Sequence, residues 1–155
     1  MQGHFGSVLT SPGNLLDILD KFATFGKTIK VTELDMVIND DQLRADYMRD
    51  VMTVLFSHPS IEGVVMWGFW ADRHWKPEAA LYGSDWQLRS HGQAWLDLVK
   101  DKWWTDESLL TGDDGCARIR GFKGLYKVTV ETDRGVWTVQ INNGDAEDTV
   151  EVVCQ

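Results

Sequence analysis

Hydrophobic residues recur at helical spacing in two segments of the first sixty residues. Ser11 and Pro12 are typical of a helix N-cap followed by proline at the first helical position. The apolar residues that follow, up to Gly26, are Leu15, Leu16, Ile18, Leu19, Phe22 and Phe25. A second stripe begins after the cap signals at 39–41, ends before His58, and comprises Leu43, Tyr47, Val51, Val54 and Leu55. The pattern predicts two amphipathic helices.

Short β-prone runs alternate with these helices. The first covers 28–32 and ends directly at the carboxylates Glu33 and Asp35. The second, 63–67, is apolar without alternation, which is typical of a strand buried on both faces. Residues 90–100 predict a further helix. Strands that alternate with helices in this way indicate right-handed parallel βαβ units.

The pattern changes after Trp104. Residues 105–114 are polar and contain glycine, and short alternating runs separated by turn residues follow. These runs predict four strands, at 117–122, 126–131, 136–141 and 149–153. We therefore expect a first domain over residues 1–104 and a small antiparallel β-module over residues 105–155.

Two cysteines, Cys116 and Cys154, lie near the first and last predicted strands of this module. A unit of roughly 40 residues has little core, so a disulfide between them would stabilise it. The alternative is two buried free thiols. The sequence leaves both open, and the bridge is favoured if the protein is secreted.

Composition excludes several classes of function. A chain of 155 residues with 43% hydrophobic content suits a globular protein. The net charge of -9 leaves no basic patch for phosphates, so we expect no nucleic-acid partner. No apolar run approaches a membrane span and no signal-peptide pattern is present, so we expect no membrane partner. We also expect no metal and no cofactor, because neither metal-ligand spacing nor a Gly-rich phosphate loop occurs.

Tryptophan is the unusual component of the composition. Of the eight tryptophans, four lie between Trp67 and Trp86. A large aromatic core is the ordinary explanation. The alternative is a sugar site, in which flat indole faces stack on pyranose rings.

The carboxylates at the end of the first predicted strand are candidates for chemistry. Glu33 and Asp35 are two residues apart and therefore share one face of a strand. The carboxyl ends of parallel strands are where α/β barrels assemble active sites. A solvated strand end is the alternative for either residue taken alone.

Three motifs resemble glycoside hydrolase family 10, which comprises endo-1,4-β-xylanases. Thr32-Glu33-Leu34-Asp35 resembles the family's strand-7 signature, which contains the nucleophile, and Met1-Gln2-Gly3-His4 resembles its strand-6 segment. Residues 67–75, Trp-Gly-Phe-Trp-Ala-Asp-Arg-His-Trp, resemble its strand-8 signature. The resemblance covers about residues 1 to 100 and implies the C-terminal portion, about strands 6 to 8, of a TIM (β/α)8 barrel.

The resemblance also implies a role for each matched residue. Glu33 would be the nucleophile of a retaining β-1,4-xylanase, with His4 and Asp35 supporting it. The residues that would bind the polysaccharide substrate are Gln2, Trp67 and Trp75. The family is typically extracellular, so the resemblance implies secretion.

The family's acid/base glutamate lies on strand 4, which has no counterpart in this sequence. We therefore expect the chain to be a fragment that lacks the N-terminal half of the barrel, with low stability and little activity in isolation. The alternative function is a non-catalytic carbohydrate-binding protein that uses its Trp-rich surface.

Overall fold

The computed structural model describes residues 1–144, 149 and 151–154. The chain divides into two compact units, Met1–Asp101 (the first unit) and Lys102–Gln155 (the second unit). Within the described residues, no helix is both long and apolar enough to span a membrane.

A parallel sheet forms the centre of the first unit. Its strands are β1 (Gln2–Phe5), β2 (Ile29–Met36) and β3 (Ile61–Met66), and β2 lies between the other two. Both pairings are parallel, as the alternation of strands and helices predicts. Because β2 continues to Met36, both carboxylates of the 32–35 motif lie within the strand.

The expectation that the 63–67 run is buried on both faces is wrong. Val65 is exposed, and other residues of β3 are only partly buried. The reason is topological, because β3 lies at one edge of the sheet and pairs with β2 alone. An apolar run can therefore mark a strand without showing how many of its sides are covered.

Local caps fix where the first two helices begin. Helix α1 (Pro12–Ala23) starts after Ser11, whose Oγ accepts a hydrogen bond from the Asn14 N–H at 3.2 Å. Helix α2 (Asp41–Ser57) starts after Asp40, whose Oδ1 accepts from the Leu43 N–H at 2.8 Å. Both starts agree with the sequence prediction.

The buried faces of these helices differ from the predicted stripes. Of the α1 stripe only Leu15 and Leu19 are buried. In α2 the exposed Leu43 does not belong to the core. The buried residues of α2 are Arg44, Tyr47, Met48, Val51, Met52 and Leu55. The two methionines extend the buried face because α2 packs against both α1 and α3.

The segment from β3 to the last helix contains two short 3-10 turns, Ala71–Arg73 and Pro77–Ala79. Helix α3 (Ser90–Leu96) follows and continues as a π-helical turn over Asp97–Lys102. The predicted single helix over 90–100 is thus helical throughout but changes its hydrogen-bonding pattern.

The second unit contains a two-stranded antiparallel hairpin. Strands β4 (Gly124–Thr132) and β5 (Gly135–Asn143) pair in register along their whole length. They confirm the predicted strands at 126–131 and 136–141. Residues 117–122 form no strand, and neither do the described residues of the 149–153 run, in which Val150 lies outside the described residues.

The cysteines of the second unit are free thiols, so the disulfide considered for Cys116 and Cys154 is not formed in this structure. Cys116 lies in a turn where its N–H donates to Asp114 Oδ1 at 2.9 Å. The strands that would have brought the two cysteines together are absent from the described parts of 117–122 and 149–153, which is why the pairing argument fails.

Candidate active site

The register of β1 on β2 brings the candidate residues together. Gln2 lies opposite Glu33, and His4 lies opposite Asp35. Residues two apart in a strand point to the same side, so all four side chains share one face of the sheet. Two motifs 29 residues apart in sequence thus form one cluster.

Glu33 receives a polar partner at each carboxylate oxygen. Gln2 Nε2 donates to Glu33 Oε1 at 2.7 Å, and His4 Nε2 lies 3.1 Å from Glu33 Oε2. The side chain is 19% exposed, so it remains accessible from solvent. Each oxygen of the Glu33 carboxylate thus has a polar side-chain nitrogen within hydrogen-bond distance.

Asp35 lies behind His4 and is almost fully buried, with 1% of its side chain exposed. His4 Nδ1 lies 2.9 Å from Asp35 Oδ1, but this approach does not meet hydrogen-bond geometry. The Trp75 Nε1–H donates to Asp35 Oδ2 at 2.7 Å. The His4 ring also meets the Trp75 indole edge-on, with centroids 5.3 Å apart.

The two nitrogens of His4 therefore face two different carboxylates. A neutral imidazole donates from one nitrogen only, whereas an imidazolium donates from both. The arrangement orients the ring between Glu33 and Asp35 in either case.

The two tryptophans of the 67–75 motif differ in how they relate to this cluster. Trp75 contacts it directly, while its indole is 57% exposed and has Lys76 Nζ 4.3 Å from the ring centroid. Trp67 is 43% exposed, and its backbone N–H donates to the Leu34 carbonyl at 2.9 Å. The side chains of Gln2, His4 and Trp75 thus contact the carboxylates, whereas Trp67 is joined to β2 by a backbone hydrogen bond.

His74, which sequence reasoning did not place among the site residues, is a buried neighbour of the cluster. Its Nε2 lies 4.0 Å from Asp35 Oδ2, and its Nδ1 accepts a hydrogen bond from the Lys76 N–H at 3.0 Å. Burial lowers the pKa of His74 below its usual value, against the attraction of Asp35, which raises it. The ring packs against Gly68, where φ is +82° and a Cβ would lie 2.6 Å from His74 Cδ2.

Three basic side chains fix the loop that follows Trp75. They donate to consecutive backbone carbonyls of the loop: Arg89 to those of Pro77 and Ala80, Arg44 to that of Glu78, and His91 to that of Ala79. Burial lowers the pKa of His91 to about 4, so the ring is neutral near neutral pH. Sequence reasoning missed these anchors because nothing in their local pattern indicates which carbonyls they reach.

A groove runs along the same edge of the sheet. It is lined by residues that directly follow β1 and β2, together with Lys76: Gly6, Ser7, Leu9, Val37, Ile38, Asn39, Asp40 and Leu43. The groove adjoins the carboxylate cluster rather than containing it. No group of three His, Cys, Asp or Glu side chains among the described residues could hold a metal ion.

The model of glycosyl hydrolase family 10 matches residues 1–97.

Curated relatives match nearly the whole chain. The anti-sigma-I factor RsgI6 of Acetivibrio thermocellus is 36% identical over 149 residues, which cover 93% of this chain and 19% of that protein. Endo-1,4-beta-xylanase 2 of Arabidopsis thaliana is 30% identical over 155 residues, which cover 99% of this chain and 14% of that protein. The chain therefore spans less than a fifth of the length of either relative.

Solved structures resemble part of this fold. Xylanase 10B from Thermotoga petrophila RKU-1, in complex with xylobiose, superposes with a TM-score of 0.57 at 18% identity, covering 65% of this chain and 35% of that chain. An intracellular xylanase from Thermoanaerobacterium saccharolyticum, in complex with xylotetraose, has a TM-score of 0.52 at 28% identity, covering 61% of this chain and 32% of that chain.

Proposed function

The chain belongs to glycosyl hydrolase family 10, and on this premise we propose that it carries the nucleophile part of a retaining β-1,4-xylanase site, with Glu33 as the nucleophile. The observation that carries the proposal is the paired support of Glu33, by Gln2 at one oxygen and by His4 at the other. The parallel sheet of the first unit is part of the family's TIM barrel. Its strands would be about the sixth to the eighth.

In the proposed reaction the ionised Glu33 carboxylate attacks the anomeric carbon of the sugar. The glycosidic bond breaks, its oxygen takes a proton from a second carboxyl group, and a glycosyl ester forms on Glu33. The second carboxyl, now ionised, then deprotonates water, which cleaves the ester and restores Glu33. Net, one water molecule is added across one xylosidic bond.

Asp35 does not suit the role of the second carboxyl. It is buried, and its oxygens face His4 and the Trp75 indole rather than solvent. We assign it to orienting His4 and Trp75. The acid/base carboxyl would come from another part of the barrel, about 5 to 5.5 Å from Glu33, so we expect the 155-residue chain alone to be nearly inactive.

Gln2, Trp67 and Trp75 would bind the substrate. Gln2 reaches Glu33 and could also meet a sugar hydroxyl, and the exposed indoles of Trp67 and Trp75 offer apolar faces to pyranose rings. They would also exclude water from the reacting carbon, which strengthens the electrostatic interactions there.

The domain assignment and the location belong to the same proposal. We assign residues 1–104 to the barrel and residues 105–155 to a small β-module. Secretion follows from the family resemblance, while one of the similar solved structures is an intracellular xylanase. Expression of the complete gene with cell fractionation tests the location.

Trapping of the glycosyl ester tests the proposal. The protein expressed from its complete gene is incubated with a 2-deoxy-2-fluoro-β-xylobioside that carries a good leaving group. We expect mass spectrometry to locate the sugar on Glu33. A label on another carboxylate, or hydrolysis with inversion at the anomeric carbon, would contradict it.

Two variants serve as controls for the trapping experiment. Glu33→Gln should lose the label together with hydrolysis, by roughly 10⁴-fold or more in rate. Glu62→Gln removes an exposed carboxylate on β3 that forms an ion pair with Lys30. This variant should keep both the label on Glu33 and the hydrolysis.

A non-catalytic carbohydrate-binding role is the second candidate. The exposed tryptophans favour it, and so does similarity to a relative that is named as an anti-sigma factor. In that case the full-length protein binds xylan without cleaving it, and Glu33→Gln leaves the turnover at the background level of the native protein.

A further inference from the structure

Trp86 has a backbone conformation that is unusual for its residue type. Its φ is +64°, and it is the one residue other than glycine with positive φ among those that the structure describes. In this left-handed region the Cβ of an L-residue crowds the backbone, so glycine or asparagine is the normal choice. Strain of this kind persists where surrounding structure enforces it, and it often accompanies function.

The loop around Trp86 enforces this conformation. The Gly83 N–H donates to the Gln87 carbonyl at 2.9 Å, and the Trp86 N–H donates to the Gly83 carbonyl at 3.0 Å. The Asp85 carboxylate accepts from the Gln87 N–H at 3.0 Å. Tyr82 and Leu88 close the loop as an antiparallel bridge. These hydrogen bonds of the loop therefore hold the backbone of Trp86 in its conformation independently of the contacts of the indole.

The Trp86 indole is held flat on a second indole. It stacks on Trp70 with ring centroids 4.9 Å apart and planes at 12°. Tyr82 and Phe69 lie beside it, with centroid distances of 6.1 Å and 6.3 Å. Trp86 is nevertheless 55% exposed, and Phe69 is exposed as well. One indole face thus covers Trp70 while the other is open to solvent.

Packing alone does not account for this arrangement. A residue that served only to turn the loop would avoid the strain as glycine or asparagine. A residue that served only to fill the core would not leave more than half of an indole in water. The loop therefore presents a rigid aromatic surface, the indole platform, which consists of Trp86 on Trp70 with Phe69 beside it.

We propose that the indole platform is a carbohydrate-binding site for one pyranose ring of a β-1,4-linked polysaccharide. A pyranose in the chair form has an apolar C–H face that matches a flat, exposed indole. Exposed Asp85 and Gln87 flank Trp86 in sequence and offer a carboxylate and an amide to ring hydroxyls. The Asp85 carboxylate and the net charge of -9 would repel the phosphates of a nucleic acid, so we do not expect a nucleic-acid base on the platform.

The indole platform would bind the polysaccharide chain and would take no part in cleaving the bond. Phe69 and Trp70 belong to the same 67–75 segment as Trp67 and Trp75, which we assign to the substrate. We expect a long chain to contact both places and a disaccharide bound at Glu33 to contact only one of them. The inference takes its ligand class from the proposed function but does not require hydrolysis.

The test measures polymer binding in the full-length protein in the Glu33→Gln background, which prevents consumption of the ligand. Retardation in native gels containing soluble xylan gives the affinity, and unfolding curves report folding. We expect Trp86→Asn, which suits the left-handed backbone, to bind roughly tenfold more weakly. Trp86→Tyr keeps a flat ring and should lose less. Phe25→Ala removes an exposed aromatic side chain just beyond the C-terminal end of α1 and should bind like the parent.

A folded Trp86→Asn variant that binds xylan as tightly as the parent overturns the proposal, and so does an equal loss in Phe25→Ala. If Trp86→Asn does not fold, titration of the Glu33→Gln protein with xylohexaose decides the matter. A shift of the assigned Trp86 indole N–H resonance supports the platform, and binding without that shift overturns it.

Hydrolysis of an aryl β-xylobioside by the native protein is measured in parallel. Its absence would refute the hydrolytic proposal while leaving the binding result intact. With Glu33 restored, Trp86→Asn should raise KM for xylan by a larger factor than KM for the aryl xylobioside.

Discussion

The two units of the chain differ in what they bury. The first unit encloses five polar or charged side chains, and each of them has at least one hydrogen-bond partner: Asp35, Arg44, His58, His74 and His91. In the second unit none of the residues that the structure describes is buried. Its hairpin has the longer backbone ladder, nine paired residues against four between β1 and β2.

The comparison teaches that backbone pairing and side-chain burial are separate quantities. A two-stranded ribbon with one half-covered face is marginally stable by itself, however regular its ladder. The short β1 strand, in contrast, lies beside a core that fixes its side chains. A site that needs fixed donors at a carboxylate is therefore placed in the first unit.

The largest expected difference between the units comes from the same truncation made in each. Leu19→Ala removes a fully buried side chain on α1 and should lower the free energy of unfolding by about 3 kcal/mol. Leu125→Ala removes one that is 84% exposed on β4 and should cost less than about 0.5 kcal/mol. Urea unfolding of the full-length variants measures both, and equal losses would refute the contrast.

The pH dependence of stability should belong to the first unit. Burial lowers the pKa of His91 from 6.5 to about 4, so the unfolded chain binds a proton at higher pH than the folded chain does. Stability that is complete above about pH 6.5 should then fall by up to about 3 kcal/mol as the pH drops to about 4.

Unfolding curves at intervals between these two pH values test this expectation, with His91→Gln as the control. The variant keeps a donor for the Ala79 carbonyl and should show a smaller slope. A native protein whose stability does not change over this range would contradict the role of His91.

Loss of one indole N–H should have a smaller effect, again confined to the first unit. Trp75→Phe leaves the buried Asp35 Oδ2 without its donor and should cost about 2 kcal/mol. Trp137→Phe, at a half-buried position of β5, should cost less than about 1 kcal/mol. Comparable losses in the two variants would mean that the hydrogen bond to Asp35 contributes little.

The smallest effect should come from the exposed face of the hairpin. Thr129 and Thr138 face each other across the strands with their hydroxyl oxygens 3.3 Å apart. We expect a coupling of about 0.3 kcal/mol in a double-mutant cycle with Thr129→Ala and Thr138→Ala. A coupling above about 1 kcal/mol would show that this surface is more tightly organised than its exposure suggests.

Local signals predicted the parts of the fold that depend on neighbouring residues. The caps at Ser11 and Asp40 lie where the sequence placed them because a cap bonds to an N–H three residues away. The hairpin was predictable for a similar reason, since two alternating runs flank a short segment of turn residues, and the structure places a two-residue turn at 133–134. The 117–122 run alternates as well, but a strand also needs a partner, which the pattern does not identify.

The residues of the candidate site likewise fall into those that the sequence identified and those that depend on tertiary contacts. The 32–35 motif identified Glu33 and Asp35, and resemblance to a family supplied His4 and Gln2. The contribution of His74 depends on its packing against Gly68 and its distance from Asp35, which arise only after folding. Arg44 and Arg89 anchor a loop that lies more than thirty residues from Arg44 in sequence. This anchoring, like the stacking of Trp86 on Trp70, also arises only after folding.

The pairing of Gln2 with Glu33 and of His4 with Asp35 makes the proposed site depend on the register between β1 and β2. A slip of one residue between β1 and β2 would turn Gly3 and Phe5 toward the carboxylates and send both donors to the opposite face. Such a mispaired chain could keep its helices and look native by circular dichroism. If the proposed activity is present, its value per folded molecule would report the fraction of chains in the correct register, which a spectroscopic yield does not.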